Sequence, residues 1–355
     1  MDRRGGGRKR IQALRHLHKY IRAYLWRRPQ DGRDGGNSLK RPILAALLAG
    51  LCILPAVSSA ETAWPERTIN VIIGASPGGD TDFNARTMAK YFEQVTGSTM
   101  VITNMPGGGA TIATSAVKDA APDGYTMLFG HTGHLIVAEV SGLANYGIAD
   151  FEICCIAAVD QGAVFVTSEK SGLKTVADVK AAEAGSLTFG TELGGYSHLQ
   201  GLIFQDATGV EMNVVDTGSA SEKIASLLGG RIDVAGIAYG AVQDYVTSGQ
   251  MTVLGQPNAE RNPLLGEIPT FAEQGVDMVM NNPYIVAFPK GTDPEIVAKM
   301  GSVMQEIAQM PEYAADLEQG FKQPVVFLPK DQALTRLNEI RDAYMPYREA
   351  LQGNR

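Results

Sequence analysis

From residue 64 onward, short apolar runs rich in valine and isoleucine alternate with longer runs in which apolar residues recur every three or four positions. The first pattern belongs to buried strands and the second to amphipathic helices. Strands are predicted over 68–74 (TINVIIG), 100–104 (MVITN), 125–130 (YTMLFG), 152–159 (EICCIAAV) and 163–168 (AVFVTS). Further strands are predicted over 187–190, 212–216, 232–238, 251–256 and 284–289. Helical patterns lie between most of them, for example 82–96, 197–207 and 221–228, and 293–354 reads as mostly helical around one apolar run, QPVVFLP. This alternation predicts an α/β protein with largely parallel sheets covered by helices.

The rhythm breaks twice. Only Asp160-Gln161-Gly162 separates two apolar runs, and near Asn281-Asn282-Pro283 one apolar run passes straight into another. Helix-free passages are where a chain can cross between lobes. They predict one lobe from 61–163 with 285–355 and a second from 164–284.

Residues 1–60 differ from the rest. Lys40-Arg41 precedes PILAALLAGLCILPAVSSA, a secretory signal pattern with cleavage expected after Ala60. The run is shorter than the roughly 20 apolar residues a membrane span needs. The basic, glycine-rich stretch 1–39 is longer than an ordinary signal carries. It reads as a misassigned start, with Leu39 the initiator, or as a basic arm for nucleic acid or lipid. The leader holds 13 Lys and Arg and 3 Asp and Glu, which leaves 18 basic and 35 acidic groups and a formal charge of −17 on the mature chain. That balance argues against nucleic acid as a partner of the mature chain, because its binding needs clustered cations. An anionic ligand would have to be held by local dipoles. Cys52 leaves with the leader, and the adjacent Cys154 and Cys155 read as buried thiols; no metal spacing occurs.

Ligands of open α/β sheets bind beyond the carboxyl ends of the strands. The loops there are rich in small and hydrogen-bonding residues: ASPGGDTD (75–82), MPGGGATIAT (105–114), HTGH (131–134), TELGGYSH (191–198) and DTGSASEK (216–223). All three histidines of the mature chain, His131, His134 and His198, fall in or beside these loops. Enzyme motifs are missing. Gly107 to Ile112 puts Ile112 where a dinucleotide loop needs glycine, and there is no phosphate-binding lysine loop, nucleophile elbow or zinc-binding histidine pair, so no cofactor is expected.

At these same loops the sequence resembles the Bug, or TctC-like, family, the periplasmic receptors of tripartite tricarboxylate transporters. The likeness is carried by WPERTINVIIGASPGGDTDFNAR, VITNMPGGGATIAT, APDGYTMLFG, YSHLQGLIF, SLLGGRIDVAG and ERNPLLGEIPTFAEQG, in the family's order over nearly the whole mature chain. The resemblance implies a two-lobed type II periplasmic binding protein fold with its ligand cleft between the lobes. It also implies capture of a small organic acid, a di- or tricarboxylate or an amino or aromatic acid, and delivery to large and small permease subunits.

Carried over residue by residue, the resemblance puts the amides of Gly79, Asp80 and Thr81 on one ligand carboxylate, beside Ser76 and Gly78. Asp82 would hold the helix start by accepting N–H bonds and would not grip the anion. Thr132 and His134 would come from the third loop. Thr191, Glu192, Ser197, His198, Thr217, Gly218 and Tyr239 would supply the second lobe. Glu192 departs from the small residue common in the family, and Asp216-Thr217 from a tyrosine or lysine. An acid there faces solvent, pairs with a cation, or contacts a ligand amine or a carried metal ion. A sensor that presents ligand to a signalling kinase, or a periplasmic hydrolase, are the alternatives to a transport receptor.

Overall fold

In a computed structural model the described residues are 63–280 and 282–353. The predicted signal, the Leu39 start and the cleavage point after Ala60 lie outside them. The strands are β1 (Ile69–Ile73), β2 (Met100–Asn104), β3 (Thr126–His131), β4 (Phe151–Asp160), β5 (Ala163–Ser168) and β6 (Thr188–Thr191). They continue with β7 (Asn213–Asp216), β8 (Val234–Ala238), β9 (Met251–Gly255), β10 (Asn282–Pro289) and β11 (Leu328–Pro329). The longer helices are α1 (Asp80–Thr96), α2 (Thr111–Lys118), α3 (Val176–Ala181), α4 (Tyr196–Thr208) and α5 (Ala220–Gly229). After them come α6 (Tyr239–Thr247), α7 (Pro294–Ile307), α8 (Pro311–Phe321), α9 (Lys330–Tyr344) and α10 (Arg348–Gly353).

The strands form two sheets, in the orders β11-β4-β10-β3-β1-β2 and β7-β6-β8-β5-β9. Central strands carry the continuous apolar runs: every residue of β10 is buried, whereas the edge strands β2 and β7 are largely open. That is the signature of sheets covered on both faces. One apolar cluster joins α1, α7 and α8 to the first sheet. A second fills that sheet's other face and runs on into the second lobe, where Phe165 packs 4.9 Å from Phe204 and 5.1 Å from Phe271. The fold is the two-lobed type II periplasmic binding protein fold.

The expectation of largely parallel sheets is corrected. Strand β1 pairs parallel with β2 and β3, and β6 with β7 and β8, but β10 runs antiparallel to β3 and β4, β11 to β4, and β5 to β8 and β9. Parallel neighbours need a helical crossover, and the chain has none between β4 and β5. Those two strands lie in different sheets, so the chain crosses between lobes at Gln161 and Gly162. The QPVVFLP run contributes the two-residue β11, because β4 offers an edge only to Leu328 and Pro329.

The passage between the sheets is tight. A Cβ at Gly162 would lie 2.3 Å from the carbonyl oxygen of Phe321, a contact no side chain tolerates. Gly162→Ala is therefore expected to lower stability by about 1–3 kcal/mol, the usual effect of overpacking. Urea unfolding that finds no loss would contradict the close approach.

Candidate functional site

The carboxyl ends of strands from both sheets open onto one cavity of about 430 Å³. Helices α1, α2, α4 and α5 all begin on it: its wall includes Gly79 and Asp80, Gly109 and Ala110, Gly195 and Tyr196, and Ser219 and Ala220. Each helix start leaves N–H groups without intrahelical acceptors and carries about half a positive charge. Close packing brings the first two together. Gly74 has no room for a side chain, since a Cβ there would meet that of Ala110 at 2.3 Å.

The β1–α1 loop owes its shape to Asp82. Gly78 stands at φ 82°, a conformation open to glycine, and its amide donates to Asp82 Oδ2 at 2.9 Å. Asn104 Nδ2 donates to Asp82 Oδ1 at 2.9 Å and Arg86 Nε to Oδ2 at 3.0 Å. Burial alone would raise the Asp82 carboxyl; the bonds from Arg86, Gly78 and Asn104 outweigh it and hold the group below its ordinary value. Asp82 lies behind the cavity wall, while Ser76, Gly78, Gly79, Asp80 and Thr81 are on it. Asp80 accepts a 2.5 Å hydrogen bond from the hydroxyl of Tyr284, which stacks on Phe129.

His131 ends β3 and His134 sits in the π-helical turn Gly133–Val137; both line the cavity. The Gly133 amide donates to His131 Nδ1 at 3.0 Å. Burial pulls the His131 imidazole down to about 4 against the opposing charge of Asp80. His134 is held well below its ordinary value by burial and then by His131, 3.9 Å away between ring centres. Both are neutral at neutral pH. Thr132 is off the wall, its hydroxyl donating to Asn282 Oδ1 at 2.6 Å. Asp160 closes β4 on the cavity; burial and then the charge of Asp80 push it up to about 7, against hydrogen bonds from the Gly162 amide and Gln323.

On the second lobe Ser197 and Glu192 face the cavity. Ser197 Oγ accepts from the Thr191 hydroxyl and from the Glu192 amide, both at 3.0 Å. His198 Nδ1 accepts from the Gly194 amide at 3.0 Å. Thr217 donates its amide to the Thr191 carbonyl at 2.7 Å, tying the two loops side by side. Thr191, His198 and Thr217 thus shape the loops from behind, and Gly218 is on the wall at φ 72°. Tyr239 is also behind it, donating its amide to the Gly162 carbonyl at 2.8 Å, while Ala238 and Ala241 of the same helix start reach the surface.

Glu192 lies within the field of a cation without bonding to it. Burial raises its carboxyl, Lys223 lowers it, Asp216 raises it, and the Gly109 amide of the opposite lobe donates to it. Lys223 is 7% exposed on the cavity wall; burial draws its ammonium down to about 8 against the pull of Glu192, Asp80 and Asp216. Lys223, Asp160 and the neighbouring wall residues Tyr196 and Gln200 were not among the sequence candidates. Their signal was positional: Asp160 is the last residue of its strand and Lys223 lies one turn into the helix after the DTGSAS loop. Among the described residues no group of three or more His, Cys, Asp or Glu could hold a metal ion, and no helix is long and apolar enough to cross a membrane.

Comparison with known proteins adds ancestry to this geometry. The sequence profile of the tripartite tricarboxylate transporter family receptor matches residues 84–343. Protein BugT of Bordetella pertussis is 30% identical over 258 residues, which cover 71% of this chain and 79% of BugT. The UPF0065 protein of the gbd 5′ region of Cupriavidus necator is 30% identical over 290 residues, covering 78% and 85%. Among solved structures, an R. palustris protein with adipate superposes with a TM-score of 0.72 at 25% identity, covering 82% of this chain and 98% of that one. Rhodopseudomonas palustris MatC with bound malate gives 0.69 at 22%, covering 81% and 100%, a likeness of fold.

Asp160 makes stability depend on pH. The folded protein keeps this proton up to about 7, whereas an unfolded chain releases it near 3.8. Its contribution is therefore whole below about 4 and is lost as pH rises towards 7; His131 acts in the opposite sense over about 4 to 6.5. Asp160→Asn retains an oxygen for Gly162 and Gln323 and removes the titration. Its stability relative to wild type should grow from pH 4 to pH 8 by at most about 4 kcal/mol. Urea unfolding that gives a pH-independent difference would contradict this.

Proposed function

This chain belongs to the tripartite tricarboxylate transporter receptor family, and on that premise we propose that it is an extracytoplasmic solute-binding receptor that captures a small organic carboxylate between its lobes. Lobe 1 comprises 61–163 with 285–355 and lobe 2 comprises 164–284. A secretory signal removed after Ala60 delivers the chain to the periplasm, where it hands its ligand to the large and small permease subunits. The carrying observation is the convergence of four helix starts, α1, α2, α4 and α5, on one cavity. Such starts are anion sites by construction. The adipate held by the R. palustris protein of the same family fold is of the matching chemical class.

Binding, without turnover, is the activity. Ser197 is engaged by Thr191 and the Glu192 amide, the Ser219 hydroxyl is taken up by Glu222 in the box that caps α5, and Cys154 and Cys155 are buried and free elsewhere. The ligand takes the amides of Gly79, Asp80 and Thr81 through a carboxylate on one lobe and those opening α5 through its far end on the other. Contacts from both lobes favour the closed arrangement.

A thermal-shift series with succinate, malate, adipate and citrate against neutral sugars and amides tests the class. An acid at about 100 times its Kd should stabilise by about 2.7 kcal/mol. Stabilisation by a neutral solute with none by any carboxylate would overturn the reading. A sharper test is Ala220→Pro at the first position of α5. Proline fits there, after the extended Ser219, yet removes one cavity-facing N–H. The expected result is an unchanged unfolding midpoint with carboxylate affinity about tenfold weaker; calorimetry showing unchanged affinity would contradict the amide contacts.

A further inference from the structure

Lys223 is in the wrong place for stability. It is the fourth residue of α5, at the positive end of the helix, where a cation is disfavoured. It is 7% exposed and lines the cavity; its backbone amide donates to the Ser219 carbonyl at 3.0 Å, while its ammonium is within hydrogen-bond or ion-pair distance of no other described residue. Glu192, Asp80 and Asp216 attract it through space without closing on it. A buried ammonium left in that state is a liability that neither folding nor helix formation explains.

The opposite side of the same cavity carries the Gly79–Thr81 helix start. A ligand carboxylate seated there leaves the rest of the molecule to extend towards α5. If the far end is an alkyl group, Lys223 stays buried and unpaired. If the far end is a second carboxylate, the ammonium gains the partner that the chain itself withholds.

We propose that Lys223 is the anchor for the second carboxylate of the ligand, and that it makes this receptor selective for linear dicarboxylates over monocarboxylates of the same length. This assignment rests on the reading of the cavity as a carboxylate site. Lys223 is a specificity determinant: the amides of α1 bind any carboxylate, and Lys223 reads whether another stands opposite.

Calorimetry on the protein with succinate against butyrate and with adipate against hexanoate tests the assignment. Wild type should prefer each dicarboxylate by at least about tenfold. In Lys223→Met that ratio should collapse to near one, and Lys223→Arg should restore most of it. Should Lys223→Met fail to fold, Lys223→Gln carries the same expectation. A ratio unchanged in the neutral variants would overturn the role of Lys223 and leave the receptor reading intact. Failure of the wild-type protein to bind either dicarboxylate would overturn this assignment, while the receptor reading would still be decided by malate and citrate in the thermal-shift series.

Discussion

A helix that starts at a cavity leaves N–H groups that only the cavity's contents can satisfy, and this molecule puts four such starts on one cavity. The arrangement depends on Asp82. Its carboxylate takes the Gly78 amide, Asn104 and Arg86 at once, and so fixes the turn that aims the α1 amides outward. An aspartate bonded in this way is spent on the protein and is not offered to a ligand. The same division of labour recurs on the second lobe, where Thr191, Thr217 and Ser197 bond to one another's loops and Ser219 is boxed with Glu222.

The charge balance follows from burial. Residues 61–355, with a formal charge of −17, are a poor host for an anion by long-range field alone. The cavity counters this locally. Burial keeps His131 and His134 neutral and lets Asp160 carry a proton up to about 7. What remains against the wall is the dipolar charge of the helix starts and one lysine, set against Asp80, Glu192 and Glu222.

Much of the fold was legible because buried strands write themselves as apolar runs. The run FEICCIAAV and the run AVFVTS became β4 and β5 with boundaries within a residue. Pairing direction was not legible: β10 joins two strands antiparallel, and nothing in YIVAFP distinguishes that from a parallel neighbour. The loops that line the cavity were readable from glycine and small polar residues at strand ends. The division within each loop was not, because Thr191 and Thr217 have the chemistry of ligand contacts and are instead consumed by each other's backbone. Lys223 closes the loop candidate 216–223 but was not singled out as a site residue, since helical periodicity alone decides that the fourth residue of α5 turns inward.

The central claim is that the first-turn amides of α1 and α5 hold the ligand. Amide-resolved NMR during titration with adipate tests it most directly. The account predicts saturable shifts of the Gly79, Asp80, Thr81, Ala220 and Ser221 amides. Saturable binding that leaves those five amides unmoved would contradict it.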